Sequence, residues 1–156
     1  MLNLTELLAR FANRPAFSEV PAAAAQIIRS GFIDTVGTML AGGDEPVVRM
    51  VRQHVEARQS NARESSVLLN AARVCAQDAA LINGTAAHAL DYDDVALAGH
   101  PSTVLVPALL AEGEAIGASG AELLRAYLVG YEVWAELISR DADSHHIKGW
   151  HPTAVF

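Results

Sequence analysis

The sequence predicts an all-α domain, and three observations carry that expectation. Apolar residues recur at three- and four-residue spacing through most of the chain. Helix start and stop signals fall between those periodic stretches, Gly42-Gly43 and Ser119-Gly120-Ala121-Glu122 among them. Only Ser66-Val67-Leu68-Leu69 reads as extended, and it is too short to build a sheet. A chain of 156 residues is the size of one domain, which at this length buries about 68–70% of its unfolded surface, so 1–156 is expected to share one core.

In chain order, Leu4, Leu7, Leu8 and Phe11 form one apolar stripe, with Asn3 or Thr5 as cap, predicting a short helix that ends near Asn13 and is broken by Arg14-Pro15. Pro21 suits the first position of a longer helix, whose buried face is expected to carry Ile27, Ile28, Phe32, Ile33, Val36, Met39 and Leu40. Pro46 to Arg58 repeats the pattern through Val47, Val48, Val51 and Val55, with His54 in a surface or packing role. Gln59 to Ser65 is a polar loop. From Ala76 to Ala89 the Ala-rich chain is expected to stay helical through Asn83-Gly84, the glycine marking close approach of another helix or a ligand, since Gly inside a helix costs roughly 1 kcal/mol relative to Ala.

Val104, Leu105, Leu109, Leu110 and Ile116 define the next helix, closing at Gly117, with Pro107 expected in its first turn. Ser119 and Glu122 have the spacing of a capping box. The helix they open is apolar on so much of its circumference that it is expected to be central and nearly enclosed. Asp141 to Gly149 reads as a polar loop bearing His145, His146 and Lys148, and Trp150-His151-Pro152-Thr153 follows.

Composition excludes several function classes. A net charge of −7, from 11 basic and 18 acidic residues, leaves no basic stripe for a phosphate backbone, so no nucleic-acid partner is expected. The single cysteine, Cys75, excludes an intrachain disulfide or a cysteine zinc site. No apolar run approaches the 18 or so residues of a membrane span, and the amino terminus lacks a signal-peptide pattern, so a cytoplasmic protein without membrane partners is expected. A hydrophobic content of 51% and a mean hydropathy of +0.21 suggest apolar surface covered by another chain or segment, and a homodimer is the expected assembly.

Chemistry concentrates between Asn83 and Ser102. His88 and Asp91 are three apart and would meet directly if the preceding helix still runs there. Asp93 and Asp94 follow, and Gly99 is expected to let the backbone turn so that His100 swings back toward the acids. Pro101 then starts the next helix. His88, Asp91, Asp94 and His100 are acceptable metal ligands, but they match no recognised metal-binding spacing, and no metal is expected. Asp91-Tyr92-Asp93-Asp94 has the D-x-D-D form of alkene-protonating cyclases, whose aromatic-lined pockets a chain with 6% aromatics cannot build. Imidazoles and carboxylates fit a metal-free acid/base site. The same three acids would serve equally to cap and solvate an inter-helix loop.

The stretch NGTAAHALDYDDVALAGHPSTVLVPALLAEGEAIGASGAELLRAYLVGYEV, followed by KGWHPTAVF, resembles the MmgE/PrpD family. The shared features are the N-G, the H-x-x-D-x-D-D block, the H-P-S, the S-G-x-E-L-L box, the G-Y-E-V and the G-aromatic-H-P-T. Asp34-Thr35-Val36-Gly37 also looks like the family's opening. The resemblance implies the N-terminal portion of a large helical domain, truncated before a smaller α+β lid domain. It implies a cofactor-free lyase acting on a small di- or tricarboxylate: a dehydratase of substrates such as 2-methylcitrate, a cis-aconitate decarboxylase, or an epimerase. Asp91, His100 and His151 fall on catalytic positions of the family; His88, Asp94 and Lys148 are assigned to substrate binding. Val95 stands where some members, decarboxylases included, have Thr, which favours the dehydratase.

The mechanism this implies is proton removal next to a carboxylate, with His100 and His151 as base and acid and Asp91 orienting an imidazole. His145 and His146 are expected to be solvated. The family draws further lysines from segments not present here, so the 156-residue chain by itself is expected to be inactive. The competing reading is a helical fragment with only a structural or dimerisation role.

Overall fold

The structure is a computed structural model that describes residues 3–13, 20–58, 61–141, 143 and 145–155. Its elements in order are α1 (Leu4–Ala12), α2 (Ala22–Gly42), α3 (Pro46–Ala57), β1 (Ser65–Ser66), β2 (Arg73–Val74), α4 (Ala76–His88), α5 (Pro101–Ile116) and α6 (Gly120–Arg140), then a 3-10 turn at Pro152–Ala154. The fold is all-α apart from one antiparallel pair, Ser65 opposite Val74 and Ser66 opposite Arg73. Among the described residues no helix is long and apolar enough to cross a membrane.

Local signals set several of the helix boundaries. The Asn3 side chain accepts the Glu6 N–H at 2.8 Å and starts α1. The break expected at Arg14-Pro15 lies outside the described residues. Glu122 N–H donates to Ser119 Oγ while the Glu122 carboxylate accepts the Ser119 N–H, completing the capping box of α6. Gly117, at φ +72°, gives α5 a left-handed cap that costs a glycine nothing sterically.

The centre of the domain is α4 rather than α6. It packs against α2, α3 and α5 through small side chains: Ala79, Ala86 and Ala87 are buried, with Ile82 among them. Small residues allow this crowding. A Cβ on Gly42 would lie 2.1 Å from the Ala86 carbonyl oxygen, so α2 and α4 meet backbone to backbone there. Gly84 also faces α5, but a Cβ on it would sit 3.5 Å from the Thr103 carbonyl oxygen, in ordinary contact. Ile28, Met39, Ala87, Val106 and Tyr127 form the largest apolar cluster, and Val48, Val55, Val67, Ile82 and Ala86 a second beneath α3.

Three expectations are corrected. In α6 only Tyr127 and Trp134 are buried, because that helix lies on α5, α2 and α1 at the margin of the domain. On α2 the buried set is Ala25, Ile28, Thr35, Thr38, Met39 and Gly42, whereas Ile27 and Ile33 are 71% and 74% exposed. Thr35 and Thr38 can be buried because their hydroxyls donate to the Gly31 and Thr35 carbonyls one turn back. Pro107 stands inside α5 rather than in its first turn. It has no N–H to offer the Thr103 carbonyl, and its ring fills the contact with Gly84.

The hairpin is tied to the helices by polar contacts. Asn83 sits buried on α4, accepting the Leu68 N–H and donating to the Ser66 carbonyl. Glu114 of α5 accepts the Ser66 N–H and pairs with Arg73, and that backbone hydrogen bond, ahead of its other contacts, lowers its carboxyl below the usual range.

Candidate functional site

The acids after α4 are placed by a chain reversal. The helix ends at His88, and Asp91 N–H donates to the His88 carbonyl at 3.0 Å. Asp91 itself takes φ +54°, a left-handed conformation that Asp tolerates better than most residues. Because the helix does not continue, His88 and Asp91 do not share a helical face. Instead His88 Nδ1 lies 2.9 Å from Asp93 Oδ1.

The chain then reverses again in a tight turn closed by Ala96 and Gly99, which exchange hydrogen bonds of 3.0 and 2.9 Å. Leu97 at φ +50° and Ala98 at φ +59° make the turn, so the left-handed residues are not the expected glycine. Gly99 is needed for space. A Cβ there would lie 2.8 Å from Thr153 Oγ1 and 3.0 Å from Trp134 Cζ2.

This turn delivers His100 onto the opposite oxygen of the same carboxylate, Nδ1 to Asp93 Oδ2 at 3.1 Å. Asp93 is the buried centre of the site, its side chain 1% exposed, against 10% for His100 and 38% for His88. A carboxylate only accepts, so both imidazoles donate Nδ1–H to it and keep Nε2 as the basic nitrogen. Asp91, whose side chain is 80% exposed, lies across from that nitrogen, Oδ1 to His100 Nε2 at 4.0 Å.

His151 comes from the far end of the chain and completes the group. Its ring is 5.6 Å from that of His100 and 6.2 Å from that of His88, centre to centre. As cap of the 3-10 turn, His151 accepts the Thr153 N–H on Nδ1 at 3.3 Å, which leaves its proton on Nε2. His100 and His151 therefore present complementary nitrogens, one able to take a proton and one able to give it.

Among the remaining sequence candidates, Asp94 and Lys148 lie away from this group. Asp94 turns to α5, accepting the Ser102 N–H at 3.1 Å and the Ser102 hydroxyl at 2.7 Å. It caps that helix in place of the side chain of His100, and burial pushes its carboxyl up despite the Ser102 hydrogen bonds. Asp94 and the 77%-exposed Val95 border a separate cavity of about 590 Å³ that also includes Asp34, Tyr127 and Tyr131. Lys148 pairs with Asp143 on the exposed loop. His145 is held by Asp141 at 3.1 Å, while His146 stacks edge-on against His151 at 5.3 Å.

The sequence places Asp93 among the acids and Thr153 in a motif without giving either a role of its own, and it expects His146 to be solvated rather than against His151. A histidine three residues before an aspartate favours the pair a helix would make, and no spacing rule reports a reversal at Asp91. Pro152, a residue type suited to the first position of a helical turn, is the signal that could have pointed to Thr153.

His88, Asp91, Asp93 and His100 each offer one ligand atom, all within 4.8 Å of one another. Two imidazoles and two carboxylates suit a zinc-like ion by type. To take one, the imidazoles would have to exchange the Nδ1–H bonds that now hold Asp93, or turn their Nε2 atoms inward.

Fold and site together define an all-helical protein with a buried carboxylate under two imidazoles and a third imidazole opposite. Residues 6–156 match the MmgE/PrpD N-terminal domain, and the chain belongs to the MmgE/PrpD family. It is 33% identical over 129 residues to cis-aconitate decarboxylase of Mus musculus, an alignment covering 79% of this chain and 26% of that protein. Against cis-aconitate decarboxylase of Homo sapiens the identity is 32% over 129 residues, covering 79% and 27%. The chain thus spans about a quarter of the length of these curated lyase-type relatives.

Proposed function

We propose that this chain carries the acid–base groups of a metal-free lyase, a dehydratase of a small di- or tricarboxylate such as 2-methylcitrate. The observation that supports the reading is that His100 Nδ1 faces the Asp93 carboxylate while His151 Nδ1 faces the Thr153 N–H, partners that call for opposite tautomers. His100 Nε2 takes the proton from the carbon beside a carboxylate, and the C–H electron pair becomes the new double bond. The hydroxyl on the neighbouring carbon leaves with the Nε2 proton of His151 as water, and the proton taken up by His100 is passed back to His151, so that both rings end neutral. Asp93 stabilises the imidazolium that forms on His100, the orienting part first assigned to Asp91. Asp91, beside His100 Nε2, is then left to meet the substrate's hydroxyl or its leaving water.

The names of the relatives favour a second reading, decarboxylation of cis-aconitate. There a carboxylate leaves as carbon dioxide, and an imidazolium protonates the carbon that keeps the electron pair.

The local cations are engaged. Lys148 pairs with Asp143, Arg140 with Glu136, and Arg125 donates to the Ala12 carbonyl. Lys148 would have to leave Asp143 to reach a substrate carboxylate. We therefore propose that the 156-residue chain by itself binds the acid weakly and completes no turnover.

The test is a titration of the chain with 2-methylcitrate and with cis-aconitate, read on the imidazole NMR signals and on product formation. The expected result is a shift of His100 and His151 that is lost in His100→Ala and unaffected by chelator. Unshifted rings at saturating acid would leave only the structural reading, and shifts that vanish on chelation and return with zinc would overturn the metal-free one.

A further inference from the structure

Thr153 lies between the two imidazoles on which the proposed reaction turns. Its hydroxyl accepts the backbone N–H of His100 at 2.8 Å, across 53 positions of sequence. Its own N–H holds His151 Nδ1. The His100 residue is 8% exposed, so that backbone N–H has little access to solvent and Thr153 Oγ1 satisfies it. On the other side, Pro152 is buried and seats the 3-10 turn. Gly99 points to the same contact, since a side chain at 99 would overlap Thr153 Oγ1 at 2.8 Å and Thr153 N at 3.2 Å. Gly99 is not among the glycines with positive φ, so nothing in its backbone conformation calls for glycine. Its missing side chain is what lets the two segments close.

We propose that Thr153 is a positioning residue: its hydroxyl docks the His151 turn onto the start of α5 and so sets the distance between His100 and the His151 ring, whose Nδ1 its backbone N–H holds. The inference rests on reading that pair as base and acid. Neither histidine is held to the other directly, and their rings are 5.6 Å apart. The hydroxyl joins the two segments through a side chain. Without it the 3-10 turn still forms, because its hydrogen bonds are local, from Ala154 N–H to the His151 carbonyl and from Val155 N–H to the Pro152 carbonyl. What is lost is its place. Valine has the shape of threonine but no acceptor, whereas serine keeps the acceptor.

The experiment uses imidazole nitrogen NMR on the ligand-free chain, comparing wild type with Thr153→Val, Thr153→Ser and Gly99→Ala. In wild type, His151 is expected to show one fixed tautomer with the proton on Nε2. Thr153→Val is expected to shift the His151 ring signals toward those of the exposed His54. Gly99→Ala, which keeps the hydroxyl but displaces it, should do the same. Thr153→Ser should retain the wild-type pattern. The His88 and Tyr127 signals report whether each variant stays folded, and if Thr153→Val does not, Gly99→Ala against Thr153→Ser carries the comparison. Unchanged His151 signals in the folded Val or Ala variant, or a Ser variant that behaves like Val, would overturn the proposal. Failure of the acid–base reading looks different: carboxylates would leave the rings unshifted while the Thr153 series still behaves as described.

Discussion

Asp93 holds His100 from the buried side, Oδ2 to Nδ1 at 3.1 Å, and its other oxygen holds His88. One carboxylate thus fixes the tautomers of two rings. In Asp93→Asn the amide cannot accept from both, and an NH₂ facing His100 Nδ1 would force its proton to Nε2. Turnover in an active enzyme carrying this domain is expected to fall by about 10²- to 10⁴-fold, the scale for losing a positioned proton carrier or its orienting acid. Asp91→Asn should leave both tautomers as they are. Ring nitrogen shifts measured beside kcat/KM separate the two, and a variant with unchanged His100 nitrogens would show that Asp93 is not the orienting acid.

Asp94 makes stability depend on acid pH. Burial raises its carboxyl above 3.8, so the folded chain holds that proton more tightly than the unfolded one. Its contribution is full below 3.8 and declines as pH rises through the raised value. Asp94→Asn is expected to flatten that part of the Tm-versus-pH curve. An unchanged slope just above pH 3.8 would assign the dependence to other groups.

The turn before His100 is strained at Leu97 and Ala98, both left-handed. Replacing the pair with Asn-Gly, the residues that favour two consecutive positive φ angles, should stabilise the fold by about 1–2 kcal/mol. The urea midpoint measures it, and a fall would mean that the Leu97 side chain contributes more by packing than the backbone loses.

Two helical glycines should respond oppositely to alanine. Gly42→Ala drives a methyl against the Ala86 carbonyl and is expected to destabilise by roughly 1–3 kcal/mol. Gly84→Ala meets only ordinary contacts, the nearest at 3.5 Å, and should be neutral or stabilising by up to about 1 kcal/mol. Denaturant unfolding of the pair checks the close approach of α2 and α4.

The sequence by itself determined the helices, because their signals are local. The Asn3 cap, the Ser119–Glu122 box, the Gly117 stop and the Ala-rich run through Asn83-Gly84 each act within one or two turns of backbone. It also marked His88 to His100 as the stretch where imidazoles and acids gather, and its motifs resembled the family to which the chain belongs. Tertiary structure alone decided which acid serves which imidazole. Two left-handed reversals, at Asp91 and at Leu97-Ala98, move side chains by more than any helical spacing predicts, and so replace Asp91 with Asp93 beneath the rings. The placing of His151 against His100, through Thr153 and the space left by Gly99, depends on atoms 53 positions apart. It also took the packed structure to show that α4, with its small side chains, lies at the centre while α6, with its larger apolar side chains, stays at the margin. Apolar content measures what a helix gains by burial, but close approach of backbones depends on how little side chain stands between them.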